Sequence, residues 1–269
     1  RLPDALNVVK RRRLAPVRAR FYREMWTATA RDIGASCTPV GGGLTRIDRD
    51  GYVTFVRGSD LMLDSAVTLA MIGDREVSFG LIAGHGIRTP AYRVIHRRAG
   101  PAAERFLAET GAVVVKPLRG TGGGRGVTTG VDNAAKLSRA MRRAARFGRD
   151  LVLEEQVPGD YYRLTFLDGD MIDAVRRDPP ALIGTGDHTI RQLVARENGV
   201  RLRGRVPTAL SPLLIDADMV NRLTEDGRRL SDVPARGERV VVKRAVNENA
   251  AAQNRSILAQ VPEATAARL

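Results

Sequence analysis

Apolar residues recur at helical spacing over residues 15–33, where Val17, Phe21, Met25 and Ala28 share one face and Gly34 follows as a stop. The stretch "LTRIDRDGYVTF" instead alternates with a period of two around Asp50-Gly51, which predicts a hairpin. "LDSAVTLAMIGDREVSFGLIAGHGIRTP" predicts two short helices, with Gly84, Gly86 and Pro90 as stops. In "DNAAKLSRAMRRAARFG", Leu137, Met141 and Ala144 lie on one helical face; Asp132 is placed to cap it and Gly148 to end it. "LVLEEQV" and "RVVVKRAVN" predict strands, and "YYRLTFLDGDMIDAVRR" a hairpin turning at Asp168-Gly169. "DHTIRQLVAREN" predicts a helix behind Asp187, residues 198–212 a loop, and "VPEATAARL" the start of a helix. Strand–helix–strand units joined to hairpins point to an α+β protein rather than a doubly wound sheet. Divisions are expected near residues 72 and 150: a small N-terminal α/β region (1–72), then 73–150, then 151–269.

Composition narrows the classes. No apolar run approaches the roughly 18 residues of a membrane span, and no apolar signal core opens the chain, so a cytoplasmic protein is the expectation. Arg1 in place of an initiator Met is read as an incomplete start. Cys37 is the single cysteine, which excludes an intrachain disulfide framework and a thiolate zinc site. The net charge is +14, carried almost wholly by arginine. Such charge is compatible with nucleic acid. Aromatics are only 4%, however, and no stacking pattern accompanies the arginines, so arginine standing in for lysine on solvated faces explains the charge better. Only Lys10, Lys116, Lys136 and Lys243 remain as lysines, and Lys116 and Lys243 sit inside apolar runs, where a point charge rather than a guanidinium fork is called for.

The chemistry concentrates in "VVVKPLRGTGGGRGVTTG", residues 113–130, with five glycines in the seven positions 120–126. Consecutive glycines let backbone N–H groups converge on an anion such as phosphate. The Walker pattern fails because no Lys-Ser or Lys-Thr follows, and the dinucleotide pattern fails on register, meeting Arg125 or Val127 where glycine is required. The following "VTT" is β-branched, so the glycines form a hairpin between strands, a flap over phosphates or else a turn with no ligand. Some 30 residues on, Glu154-Glu155 end an apolar strand before a Pro-Gly break. Strand-end backbone and carboxylates suit an adenosine; a solvated strand end is the alternative.

Lysine strand, glycine flap, helix and Glu-Glu strand in this order resemble the ATP-grasp ligases. "VVKPLRGTGGGRGVTTGV", "LVLEEQVPGDYYRL", "AVRRDPPALIGTGDHTIRQLV" and "RVVVKRAVNENAAA" look most like the ATP-grasp module of cyanophycin synthetase, with bifunctional glutathione synthetases as more distant relatives, over roughly residues 62–258. The resemblance implies two α+β subdomains gripping ATP and Mg²⁺, and a ligase that phosphorylates a carboxylate for attack by an amine. Its substrates would be an amino acid or short peptide, with self-association open. It implies that Lys116 contacts the α- and β-phosphates and that Gly120, Thr121, Gly122, Gly123, Gly124, Arg125 and Gly126 form a lid. Glu154, Glu155, Gln156 and Val157 would hold adenine, largely through backbone atoms. Arg163 and Arg177 would face the acyl phosphate, and Lys243, Arg244 and Asn247 would lie near the γ-phosphate.

Four departures stand out. Arg75 occupies the place of a phosphate-reaching lysine, and Tyr161, beside Asp160, that of a ribose-binding acid. Asn247 to Ala252 lack the Gly-Gly of relatives, which points to a different acceptor. Nothing after Leu258 supplies the Asp and Glu-x-Asn metal ligands of such ligases, which are expected on strands beyond Leu269, so no metal ligand is assigned. A nucleotide-binding partner or regulator without catalysis is the alternative reading. His85 reads as a helix end, His188 as a helix cap, His96 as solvated and Cys37 as a small packed residue.

Overall fold

The computed structural model describes residues 2–119, 125–203, 210–246 and 253–262. They fall into two compact units, Arg1–Ile87 with Arg196–Pro212, and Arg88–Ala195 with Leu213–Leu269.

In the first unit, α1 spans Leu2–Asp32. It begins well before the periodic segment and runs through Pro16, because residues 2–14 are rich in Leu, Ala, Lys and Arg, strong helix formers even without an apolar stripe. A three-stranded antiparallel sheet follows: β1 Ser36–Gly41, β2 Leu44–Arg49 and β3 Tyr52–Val56. Its last two strands are the expected hairpin, with Asp50 at φ 52°. Ala30, Ile47 and Val56 form its small core, with Trp26 and Cys37 packed against them. The two short helices are α2 Ala66–Gly73 and α3 Arg75–Gly84, capped by Ser65 and Asp74. His85 stands at the C-terminal end of α3, as expected.

The second unit carries the rest of the expected elements. A four-stranded antiparallel sheet has the order β4–β7–β5–β6, from Tyr92–His96, Asp150–Glu155, Val113–Pro117 and Thr128–Val131. One face buries Val113, Val115, Val131, Leu151 and Leu153 against α4 (Gly100–Thr110) and α5 (Ala134–Ala144). Period-two alternation then turns Val114, Lys116, Val152 and Glu154 to the opposite face. A division at residue 150 cuts this sheet, because β7 lies between β4 and β5. Asn133, not Asp132, caps α5, accepting from Lys136 N–H at 2.9 Å; Asp132 instead receives the Lys136 ammonium at 2.8 Å. The helix ends at Ala144, short of Gly148.

A second sheet, ordered β12–β9–β8, joins Gln253–Ser256, Asp170–Asp178 and Tyr161–Leu167. β8 and β9 are the expected Asp168-Gly169 hairpin. Residues Ala181–Ile183 (β10) pair with Arg239–Val241 (β11). Around that pair, Leu182, Val240 and Val242 pack with Ile190, Leu193 and Val194 of α6 (Ile190–Leu202) and with Met219 and Leu223 of α7 (Ala217–Glu225). Thr189 starts α6 with a reciprocal cap: its hydroxyl accepts from Gln192 N–H and its own N–H donates to Gln192 Oε1. The helix continues to Leu202, so the predicted loop begins late; residues 204–209 and 263–269 lie outside the described ones. No helix among the described residues is long and apolar enough to cross a membrane.

Candidate functional site

β5 and β6 are the two arms of the glycine hairpin, paired Val113 to Val131 and Val115 to Thr128. Gly120, Thr121, Gly122, Gly123, Gly124 and Asn247 lie outside the described residues. Arg125 is exposed at the start of the return arm. Gly126 has φ +76°, and a Cβ there would meet Phe147 at 2.7 Å and Pro117 at 2.8 Å. Only glycine fits that corner.

At the foot of the hairpin, Lys116 forms an ion pair with Glu154 Oε2 on the face turned away from the helices. The side chains are 17% and 7% exposed. The pair follows from register: Lys116 sits opposite Val152, two residues from Glu154 on the same face. Glu154 Oε1 is buried and has no hydrogen-bond partner among the described residues. An orphaned carboxylate oxygen in so dry a place is costly, and it invites a donor from outside.

The rest of the Glu154 to Val157 run divides its labour. Glu155 Oε2 accepts from Ala91 N–H at 3.2 Å, tying down the approach to β4. Gln156 Oε1 accepts from Gly130 N–H at 2.5 Å on the hairpin's return arm. Val157 is half exposed.

In the β12–β9–β8 sheet, Tyr161 pairs with Arg177, Arg177 with Asn254, and Arg163 with Val175. Tyr161, Arg163 and Arg177 therefore share one face. Arg177 Nε donates to Asn254 Oδ1 at 3.4 Å. The Tyr161 phenol is held above its ordinary value of 10.0, first by burial and then by the negative charge of Asp218, with Arg244 opposing.

Arg244 is clasped by Glu225 through two bonds, Nη2 to Oε2 at 2.5 Å and Nη1 to Oε1 at 2.9 Å. Burial raises the Glu225 pKa, although Arg244 pulls the other way. Lys243 is 2% exposed. Its ammonium donates to Asp216 Oδ2 at 2.6 Å and to the Leu214 carbonyl at 3.5 Å, so it is enclosed rather than open to a phosphate. Arg75 opens α3 in the first unit.

The carboxylates here, Asp216, Asp218 and Glu225, come from α7 and its cap, which the sequence reading passed over. Met219 and Leu223 at i and i+4 behind a capping Asp216 are the signal that was available.

No protein-family model matches the chain. The glutathione biosynthesis bifunctional protein GshAB of Listeria innocua is 29% identical over 181 residues, 66% of this chain and 23% of that protein. Its counterpart in Mannheimia succiniciproducens is 27% identical over 184 residues, 67% of this chain and 24% of that protein. A bifunctional glutathione synthetase structure from Pasteurella multocida covers 87% of this chain and 32% of its own, at 21% identity and a TM-score of 0.45. The chain thus spans about a quarter of the length of the curated relatives it matches. Over about two thirds of its length the chain is similar in sequence to one part of these bifunctional glutathione biosynthesis proteins.

Proposed function

We propose that the chain is the nucleotide-binding part of an ADP-forming carboxylate–amine ligase that joins an amino acid or short peptide to an amine through an acyl phosphate. The finer likeness is to the ATP-grasp module of cyanophycin synthetase, carried by "RRDPPALIGTGDHTI". We place its work in the cytoplasm, on small molecules rather than nucleic acid.

The observation that carries the reading is the meeting of Lys116 and Glu154 beneath the glycine hairpin, with Glu154 Oε1 left without a donor. These residues fit ATP: an ammonium for phosphate and an acceptor for an amino group. Arg244 and the Arg163–Arg177 face add cations for charge that spreads over a transferring phosphoryl group. Lys116 and Arg244 are neutralised by Glu154 and Glu225, so a nucleotide has to win each cation from a carboxylate. Magnesium is general to such ligases. Among the described residues no three His, Cys, Asp or Glu side chains cluster to hold one.

The test is to incubate the native full-length protein with ATP, Mg²⁺ and pools of amino acids and to measure ADP. Substrate-dependent ADP supports the ligase. ATP binding with no ADP above background from any pool overturns it in favour of a nucleotide-binding regulator, a reading that the enclosure of Lys243 by Asp216 favours.

A further inference from the structure

Asp218 is a carboxylate 3% exposed, on the first turn of α7. Both of its oxygens are engaged, and by distant parts of the chain. Oδ1 accepts from the hydroxyl of Thr129, in the return arm of the glycine hairpin. Oδ2 accepts from the N–H of Ala245 at 3.2 Å, the residue after Arg244. Its charge also acts on Tyr161, at the start of the sheet that carries Arg163 and Arg177. One buried carboxylate thus touches both the hairpin and the Arg244 turn.

The contacts around it hold the same alignment. Asn221, one turn along α7, donates from Nδ2 to the Thr129 carbonyl at 2.9 Å, filling an acceptor on the edge strand β6. Gly130 lies so close to the Arg244–Glu225 pair that a Cβ would stand 2.6 Å from Glu225 Oε1 and 3.2 Å from Arg244 Nη1.

We propose that Asp218 is a positioning residue of this site: by bonding Thr129 on one oxygen and Ala245 on the other, it sets the glycine hairpin and Arg244 at a fixed separation. The inference rests on reading the site as that of a ligase. On that reading Lys116 binds nucleotide without Asp218. Arg244 needs the alignment for phosphoryl transfer, so its loss falls on kcat more than on KM.

Thr129→Val removes the hydroxyl at nearly constant shape, and Thr129→Ser restores it. Hydrogen–deuterium exchange is measured on the full-length protein for both, with kcat and KM for ATP. In Thr129→Val, exchange is expected to quicken in Thr128–Val131 and also in residues 243–246. In the same variant kcat is expected to fall on the order of tenfold while KM for ATP stays within about threefold. Thr129→Ser should behave as wild type in both. A folded Thr129→Val protein with unchanged exchange over 243–246 overturns the coupling, and one with wild-type kcat overturns the positioning role. Should Thr129→Val not fold, Asp218→Asn is judged by the same two readouts. If the wild-type protein turns over nothing, the kinetic arm falls with the ligase reading, and the exchange arm still decides whether Asp218 links the two segments.

Discussion

Replacing Lys116 by alanine separates its bond to Glu154 from its use by a nucleotide. Removing one partner of a buried ion pair costs about 3–5 kcal/mol, because the other charge is left uncompensated. Lys116 keeps some exposure, which lessens the penalty. We therefore expect about 2–3 kcal/mol at neutral pH. For a protein of this size that lowers the melting temperature by about 4–12 °C. The nucleotide arm adds to this. A charge-assisted contact to phosphate in a dry site is worth about 1.5–3 kcal/mol, on the order of tenfold to a hundredfold in affinity. At an ATP concentration of ~100 times the wild-type dissociation constant, ligand stabilisation is ~2.7 kcal/mol; a hundredfold weaker site reduces it to ~0.4 kcal/mol. The assay is thermal melting with and without ATP for Lys116→Ala, Glu154→Gln and the double variant. The double variant should recover most of the lost melting temperature, since no charge is then stranded, and should still lack the ATP-induced shift. Recovery of both would refute the reasoning, because Lys116 would then serve only to hold the sheet. A single variant that melts like wild type would refute the burial argument.

Other expectations follow from the same geometry. Glu225→Gln should free Arg244 and tighten binding of a non-hydrolysable ATP analogue roughly threefold to fivefold by calorimetry, the worth of a partly exposed pair; weaker binding would mean that Glu225 aligns Arg244 rather than competing for it. Gly130→Ala, at φ +64° and against Glu225, should cost about 1–3 kcal/mol in urea unfolding, and an unchanged midpoint would place the Glu225–Arg244 pair elsewhere. Tyr161 should ionise above 10.0 in a 295 nm titration, identified by its loss in Tyr161→Phe. Because its folded pKa is raised, the associated stability is full below the unfolded value and is lost as pH rises through the folded one. Arg244→Ala should push the ionisation higher still, and a downward move would contradict the opposing roles of Asp218 and Arg244.

Local signals were enough for the hairpins at Asp50-Gly51 and Asp168-Gly169, the helix around Leu137 and Met141, and the strands flanking the glycines. Backbone preference and period reside in a few neighbouring residues, so such elements can be read one at a time. Lys116 stood out for the same reason, as a charge inside an apolar run. What the chain does with those charges was decided only by folding. Lys116 meets Glu154 across a strand register, and Thr129 meets Asp218 across 89 residues. The Lys116 and Lys243 runs look alike in sequence, "VVVKP" and "VVVKR". Yet one lysine rests at the foot of the hairpin, on the face of its sheet turned away from the helices, and the other is sealed against Asp216 inside a second core. A residue's burial and its counter-ion depend on which distant segment covers it, and neither the period nor the composition of the local sequence carries that information.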